Sequence, residues 1–184
     1  HLPMQSGSDR VLKAMNRRHD AGGYKDVVAR LRAAQPDLAL SSDFIVGFPG
    51  ETDRDFEDTM ALVREVGFVQ AYSFKYSPRP GTPAADMPDQ VPEDVKSARL
   101  RALQDELNRQ QIAFNETCVG RKMPVLFDRP GVRDGQLIGR SPFMQAVHAE
   151  LSADYLGEIV NVMIDRAKPN SLSAVVSTEQ EAVA

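Results

Sequence analysis

Apolar and polar positions along this chain first recur with a helical period and later with a strand period, and the change predicts two differently built parts. Ser8 is a candidate N-cap, and Val11, Leu12 and Met15 begin a helical stripe behind it. That helix is expected to run to a break at Gly22-Gly23, with Arg17, Arg18 and His19 closing it where cations suit the dipole. Tyr24, Val27, Val28 and Leu31 stand at the i, i+3, i+4, i+7 spacing of one buried face and predict a second helix ending near Pro36. Residues 38–46 read as a strand that stops at Gly47-Phe48-Pro49-Gly50. Thr52 then stands three residues before Asp55, as in a capping box, and Phe56, Met60 and Val63 carry a helix over 52–66. Residues 68–76 alternate and predict another strand, while residues 1–5 resemble the last part of one. Pro92 opens a long helix with Leu100, Leu103, Leu107 and Phe114 on its apolar side, which leaves Arg99, Arg101 and Arg109 to a solvated face. After Gly120, five short runs (123–127, 136–139, 143–149, 158–164 and 172–176) predict a small antiparallel barrel.

Strand, helix, strand, helix, strand is the order of a parallel sheet, so the loops after all three strands are expected on one rim. Gln5, Ser6 and Ser8, then Gly47, Gly50 and Glu51, then Ser77, Arg79 and Thr82 would meet there. Three polar Gly/Pro loops on one rim point to a binding site, the alternative being plain strand-to-helix turns. In the barrel, Arg121, Lys122, Phe127, Arg129, Arg133, Arg140 and Phe143 have the mix of cations and aromatics with which oligonucleotide-binding barrels hold nucleic acid. The alternative there is a structural appendage.

Composition narrows the classes. With 184 residues, 42% hydrophobic and 26% charged, the chain suits a globular domain plus a small module, and no apolar run approaches a membrane span. Cys118 is alone, so no disulfide framework and no metal pair of cysteines is present, in keeping with a reducing cytoplasm. Net charge is −4, yet residues 1–35 carry seven Lys/Arg against three Asp. The opening at His1 has no initiator Met, which leads to the expectation of a fragment whose half-sheet exposes an edge and either dimerises or is marginally stable.

Three stretches carry a resemblance. His1-Leu2-Pro3-Met4-Gln5-Ser6-Gly7-Ser8-Asp9, Ser42-Asp43-Phe44-Ile45-Val46-Gly47-Phe48-Pro49-Gly50-Glu51-Thr52 and Ser77-Pro78-Arg79-Pro80-Gly81-Thr82-Pro83-Ala84-Ala85 resemble successive motifs of the methylthiotransferases of the radical S-adenosylmethionine superfamily. The resemblance implies an α/β chain: the C-terminal part of a partial TIM-like barrel with its long closing helix (1–118), an OB-like TRAM barrel that binds tRNA (119–178) and a disordered tail (179–184). It implies S-adenosylmethionine and two [4Fe-4S] clusters in the complete enzyme, a reductant, a sulfur source, tRNA as partner and a cytoplasmic location. No residue here matches the cluster-binding cysteines, so this stretch alone is expected to be inactive, with no metal ligands. The same resemblance implies that Gln5 and Ser6 lie near the sugar or amino-acid part of S-adenosylmethionine, with Ile45 and Gly47 as backbone contacts around its nucleoside. Glu51 and Arg79 would order loops or face substrate, and Arg121, Lys122 and Arg140 would hold RNA. Within the family the motifs are most like those of enzymes that place a methylthio group on C2 of isopentenyladenosine next to the anticodon. The branch acting on threonylcarbamoyladenosine shares much of the third loop, and the branch acting on a ribosomal-protein aspartate usually carries acids where this chain has Arg79-Pro80.

Overall fold

The computed structural model describes residues 1–176 and divides the chain into two compact units, the first His1–Gln110 and the second beginning at Gln111. The expected tail at 179–184 lies outside the described residues. No helix among those described is long and apolar enough to cross a membrane.

The first unit is a small parallel sheet covered on one face by helices. Strand β1 (Ser41–Val46) pairs with β2 (Gln70–Lys75) in register from Ser41 opposite Gln70 to Val46 opposite Lys75. Residues 1–5 run along the other edge of β1, with the N–H of Leu2 donating to Ser41 O at 2.9 Å and that of Gln5 to Asp43 O at 2.8 Å. They form one isolated bridge, Gln5 with Phe44, rather than a full strand, because Gln5 takes φ 75° and turns the chain away at once. Ser42, Phe44 and Val46 face the helices and are buried, together with Met4, Leu12, Tyr24, Phe56, Met60, Val63, Phe68, Leu103 and Leu107. The other face is open, and Tyr72 and Phe74, opposite Asp43 and Ile45, are each 54% exposed.

The helices depart from the pattern in instructive places. Helix α1 (Asp9–Ala14) ends well before Gly22-Gly23, with Asn16 in the left-handed region at φ 57°. The two glycines lie instead in the first turn of α2 (Ala21–Ala34), where the Asp20 carboxylate accepts from Gly23 N–H at 2.7 Å. An Asp cap contributes about 1 kcal/mol and offsets the comparable cost of a helical glycine. Arg17, Arg18 and His19 therefore lie in the connection and do not close a helix. Of the expected face of α2, Tyr24 and Val28 are buried, but Val27 and Leu31 stay about 40% open, so the seam is narrower than the spacing suggested. Helix α3 (Asp53–Val66) has the expected capping box between Thr52 and Asp55, and α4 (Glu93–Thr117) follows Pro92.

In the second unit β3 (Lys122–Pro130), β4 (Gln136–Arg140), β5 (Ala146–Glu150), β6 (Ile159–Lys168) and β7 (Ser171–Val176) close in the order β3-β4-β5-β7-β6. The barrel is not wholly antiparallel, since β5 and β7 run parallel. A ring with an odd number of strands cannot alternate direction all the way round, so one parallel pair is unavoidable. Leu126 faces Ile159 on one side, while the path through Arg140, Ala146 and Ser171 arrives at Lys168, the other end of β6; this is the stagger that closure demands. Val125, Phe127, Val147, Val162, Ile164 and Leu172 fill the interior completely, which removes Phe127 from the candidate stacking platforms.

Candidate functional site

The carboxyl ends of residues 1–5, β1 and β2 point the same way, so the three loops that follow begin at one rim of the first unit. At its centre is the turn 47–51. Gly47 has φ 72°, and a Cβ built there would stand 2.1 Å from Lys96 Cγ, so only glycine fits both the backbone and the packing. The Gly47 N–H donates to Glu51 Oε1 at 2.9 Å, which folds the turn back on itself. Arg99 of α4 donates to the same Oε1 at 2.8 Å, to Glu51 O at 3.2 Å and to Asp53 Oδ1 at 2.7 Å. The Glu51 and Arg99 side chains are only 2% and 8% exposed. Burial pushes the Glu51 carboxyl up, against the Gly47 N–H and Arg99, which pull it down. A buried pair under that strain is poor evidence of stability for its own sake; its effect is to fix the turn in one position.

Helix α4 also ties down the end of β2. Lys96 donates to Tyr76 O at 3.5 Å and pairs with Glu93 at 3.2 Å, and Glu93 pairs with Lys75. The ring of Tyr76 meets Phe48 edge-on at 5.3 Å, while its hydroxyl is buried with no hydrogen-bond partner among the described residues. An orphaned hydroxyl at a rim is a polar group left for something else to meet. Lys96 and Arg99 were assigned no such role from the sequence, which left Arg99 on a solvated face. Yet both occur at 96, 99, 103, 107, in step with the buried Leu103 and Leu107, and that register was the available signal.

The other sequence-predicted residues fare differently. Ser6 is completely buried, within 3.3 Å of the Thr59 hydroxyl and accepting from Ser8 N–H, so its side chain faces α3. Gln5 is 8% exposed and stands at the turn itself. The Gly47 N–H is committed to Glu51, which leaves the Gly47 carbonyl as its remaining backbone group. Ile45 lies on the open face beside Phe74, with its N–H donating to Gln5 O at 2.9 Å. On that face His1 also meets Ser41 Oγ at 2.9 Å and Asp43 Oδ2 at 3.3 Å. Arg79 is exposed in the third loop, where its carbonyl accepts from the Thr82 hydroxyl at 2.7 Å.

Behind the rim, Asp55 joins the first loop to the start of α3. It accepts from Ser8 Oγ at 2.6 Å, from Thr52 N–H at 2.8 Å and from Arg10, which also donates to Gly50 O at 2.5 Å. Burial opposes ionisation of Asp55, but the hydrogen bonds from Arg10, Ser8 and Thr52 outweigh it and hold the carboxyl well below the usual range. Because the folded value is depressed, the stabilisation is fully present above the unfolded value of about 3.9 and drains away as pH falls through and below it. Denaturant titrations from neutral to acid pH should show Asp55→Asn less stable than the parent at neutral pH and with a flatter acid slope. An unchanged acid slope would mean that Asp55 does not carry this dependence.

In the second unit Arg121 lies over the Phe143 ring at 5.3 Å, and Phe143 meets Phe114 edge-on. Arg140 donates to Met144 O at 3.3 Å, and Lys122 is exposed at the start of β3. Cys118 is wholly buried against Gln145, whose amide donates to the buried Asn115 at 2.7 Å.

Residues 1–63 match the Radical SAM superfamily, and residues 116–176 match the TRAM domain. The tRNA-2-methylthio-N(6)-dimethylallyladenosine synthase of Rickettsia canadensis (strain McKiel) is 59% identical over 97% of this chain, and that of Rickettsia felis is 60% identical over 96%. The chain spans about 40% of the length of either relative. Over almost its whole length the chain is thus similar to these synthases, with the likeness to the Radical SAM superfamily at 1–63 and to the TRAM domain at 116–176.

Proposed function

We propose that this chain serves as the closing part of a tRNA methylthiotransferase, which adds a methylthio group to C2 of isopentenyladenosine next to the anticodon by radical S-adenosylmethionine chemistry. The observation that carries the reading is identity of 59% across 97% of the chain with synthases named for that product. The functional boundary falls just after α4, between 118 and 119, with the barrel as the RNA-holding part. Arg121, Lys122 and Arg140 are its candidate phosphate contacts.

Iron–sulfur clusters do not fit the residues present. Cys118 is buried and single, and among the described residues no three His, Cys, Asp or Glu side chains are grouped to hold a metal. Clusters, reductant and sulfur source therefore belong to the rest of the enzyme in this reading. S-adenosylmethionine, the source of the radical when bound, fits the rim better. Gln5, the Gly47 carbonyl and the Tyr76 hydroxyl, which has no partner among the described residues, offer polar groups, and Ile45 with Phe74 offers an apolar surface for a nucleoside. In this reading Glu51 and Arg99 keep the turn in place, and Arg79 reaches from the third loop toward the substrate.

Nucleoside mass spectrometry of tRNA from cells lacking the gene tests the substrate, with loss of the methylthio-isopentenyl nucleoside and accumulation of its unthiolated precursor as the expected result. Loss of the threonylcarbamoyl derivative, or of methylthio-aspartate in a ribosomal protein, would overturn it. The purified chain supplied with S-adenosylmethionine, a reductant and tRNA should form no product.

A further inference from the structure

The outer face of the barrel bears a group of cations set apart from Arg121 and Lys122. Passing round the strands, Arg129 of β3 stands opposite Ile138 of β4, Ile138 opposite His148 of β5, His148 opposite Ser173 of β7, and Ser173 opposite Arg166 of β6. Paired positions share a face, and the intervening Leu137, Val147, Ala149, Leu172 and Ala174 are buried, so this row points outward. The next outward row is Arg140, Ala146, Ser171 and Lys168. Arg133 joins from the loop at 131–135. His148 is thus ringed by cations, and its own burial together with Lys168, Arg129 and Arg133 pushes its pKa below the ordinary value.

Acids are present but do not neutralise the group. Asp128 approaches Arg129 only at 3.8 Å with both side chains substantially open, Asp134 and Asp165 stand exposed beside the group, and Glu150 is exposed two residues beyond His148 on β5. Between the cations the floor is made by Ile138, Ala146, Ser171 and Ser173. A shallow cation-lined sheet face suits an extended polyanion. It is also the surface that oligonucleotide-binding barrels use, formed by their second and third strands with the loops that join the first to the second and the fourth to the fifth. Here those are β4, β5 and the loops at 131–135 and 169–170.

We propose that Arg129, Arg133, Arg166 and Lys168 form the principal RNA-phosphate surface of the barrel, with His148 at its centre as a donor that protonates on binding. This rests on the reading of the barrel as the tRNA-holding part. A phosphate among these groups screens Lys168, Arg129 and Arg133 from His148 and favours the imidazolium. The His148 pKa is then higher in the complex than in the free chain, and binding tightens as pH falls through that range.

The test compares two sets of equal charge in the whole chain, Arg129→Ala/Lys168→Ala on the proposed face and Arg121→Ala/Lys122→Ala away from it, with an unmodified tRNA transcript as probe. Anisotropy is read across a salt series, and His148 is followed by NMR. The first set should lower the log–log salt slope by roughly two and weaken low-salt binding at least about tenfold, since each lost phosphate contact removes about one unit of slope. The second set should do less, and tRNA should raise the His148 titration point in the parent but not in the first set. Equal or larger losses from the second set would overturn the location while leaving RNA binding intact. Equal competition by polyglutamate would overturn RNA as the occupant, and a parent with no salt-dependent tRNA binding would remove the reading on which the location rests.

Discussion

Replacing Arg99 with Met is expected to destabilise the first unit by about 3–5 kcal/mol at neutral pH, the range for stripping one partner from a buried ion pair. The variant keeps most of the side-chain volume, so the loss is electrostatic. Glu51, with its side chain 2% exposed, is left as a charge in a desolvated place. The remedy open to it is to take up a proton, and burial already pushes its pKa up. The destabilisation should therefore shrink as the pH is lowered, because the protonated carboxyl no longer needs the guanidinium. Glu51→Gln combined with Arg99→Met should recover much of the loss, since the amide oxygen still accepts from Gly47 N–H. Denaturant melts of the parent, both single variants and the double variant at two pH values measure this. A double variant as unstable as the sum of the single ones would show that the two residues do not act as a pair. On the proposed reading of the rim as an S-adenosylmethionine site, the same substitution in the complete enzyme should raise KM for that cofactor, because the turn that carries Gly47 is no longer held.

Phe127→Ala is expected to cost about 3–5 kcal/mol in the second unit, through lost burial and the cavity left behind. Phe127 is 0% exposed within a ring of strands whose inward side chains all meet one another. A barrel of this size has no second layer to absorb the void. The effect on RNA should therefore follow the fraction folded, with the variant binding as tightly as the parent wherever both are folded. Phe143→Leu should behave differently: Phe143 is half-buried beneath Arg121, so a smaller stability loss is expected together with a change in the behaviour of Arg121. Thermal melts beside binding isotherms separate the two. A Phe127→Ala chain that melts like the parent but fails to bind would return Phe127 to the stacking platforms.

Much of the first unit was legible because its signals are local. The Thr52–Asp55 box, the stop at Gly47 and the stripe of Phe56, Met60 and Val63 all lie within a turn or two of the residues they organise. Glycines misled where a stronger local signal competed, as at Gly22-Gly23, where the Asp20 cap starts a helix in place of a break. Arg99 misled for another reason. A cation on a helix is normally solvated, and the carboxylate that makes its burial tolerable is 48 residues away in sequence. Ser6, expected to reach a ligand, is turned inward by Thr59, another distant partner. In the barrel the strands were readable from alternation, but their closure was not; Arg129 and Arg133 already stood among the nucleic-acid candidates, whereas Arg166 and Lys168 joined them only when the register set both on the face of His148.

Periodicity and capping thus determined most of the segments that become helix or strand, including the five strands of the second unit, because those signals lie within a few residues, while the order strand, helix, strand carried the parallel sense of the first sheet and the rim on which its loops gather. Only the tertiary structure decided which polar groups at that rim remain open. It did so by bringing Arg99 to Glu51 and Thr59 to Ser6, and by staggering the closed barrel so that Arg129, Arg166 and Lys168 share one outward face with His148. The physical reason is that burial and pairing of charge are set by distance in space, and separation along the chain constrains that distance only weakly once the chain has folded.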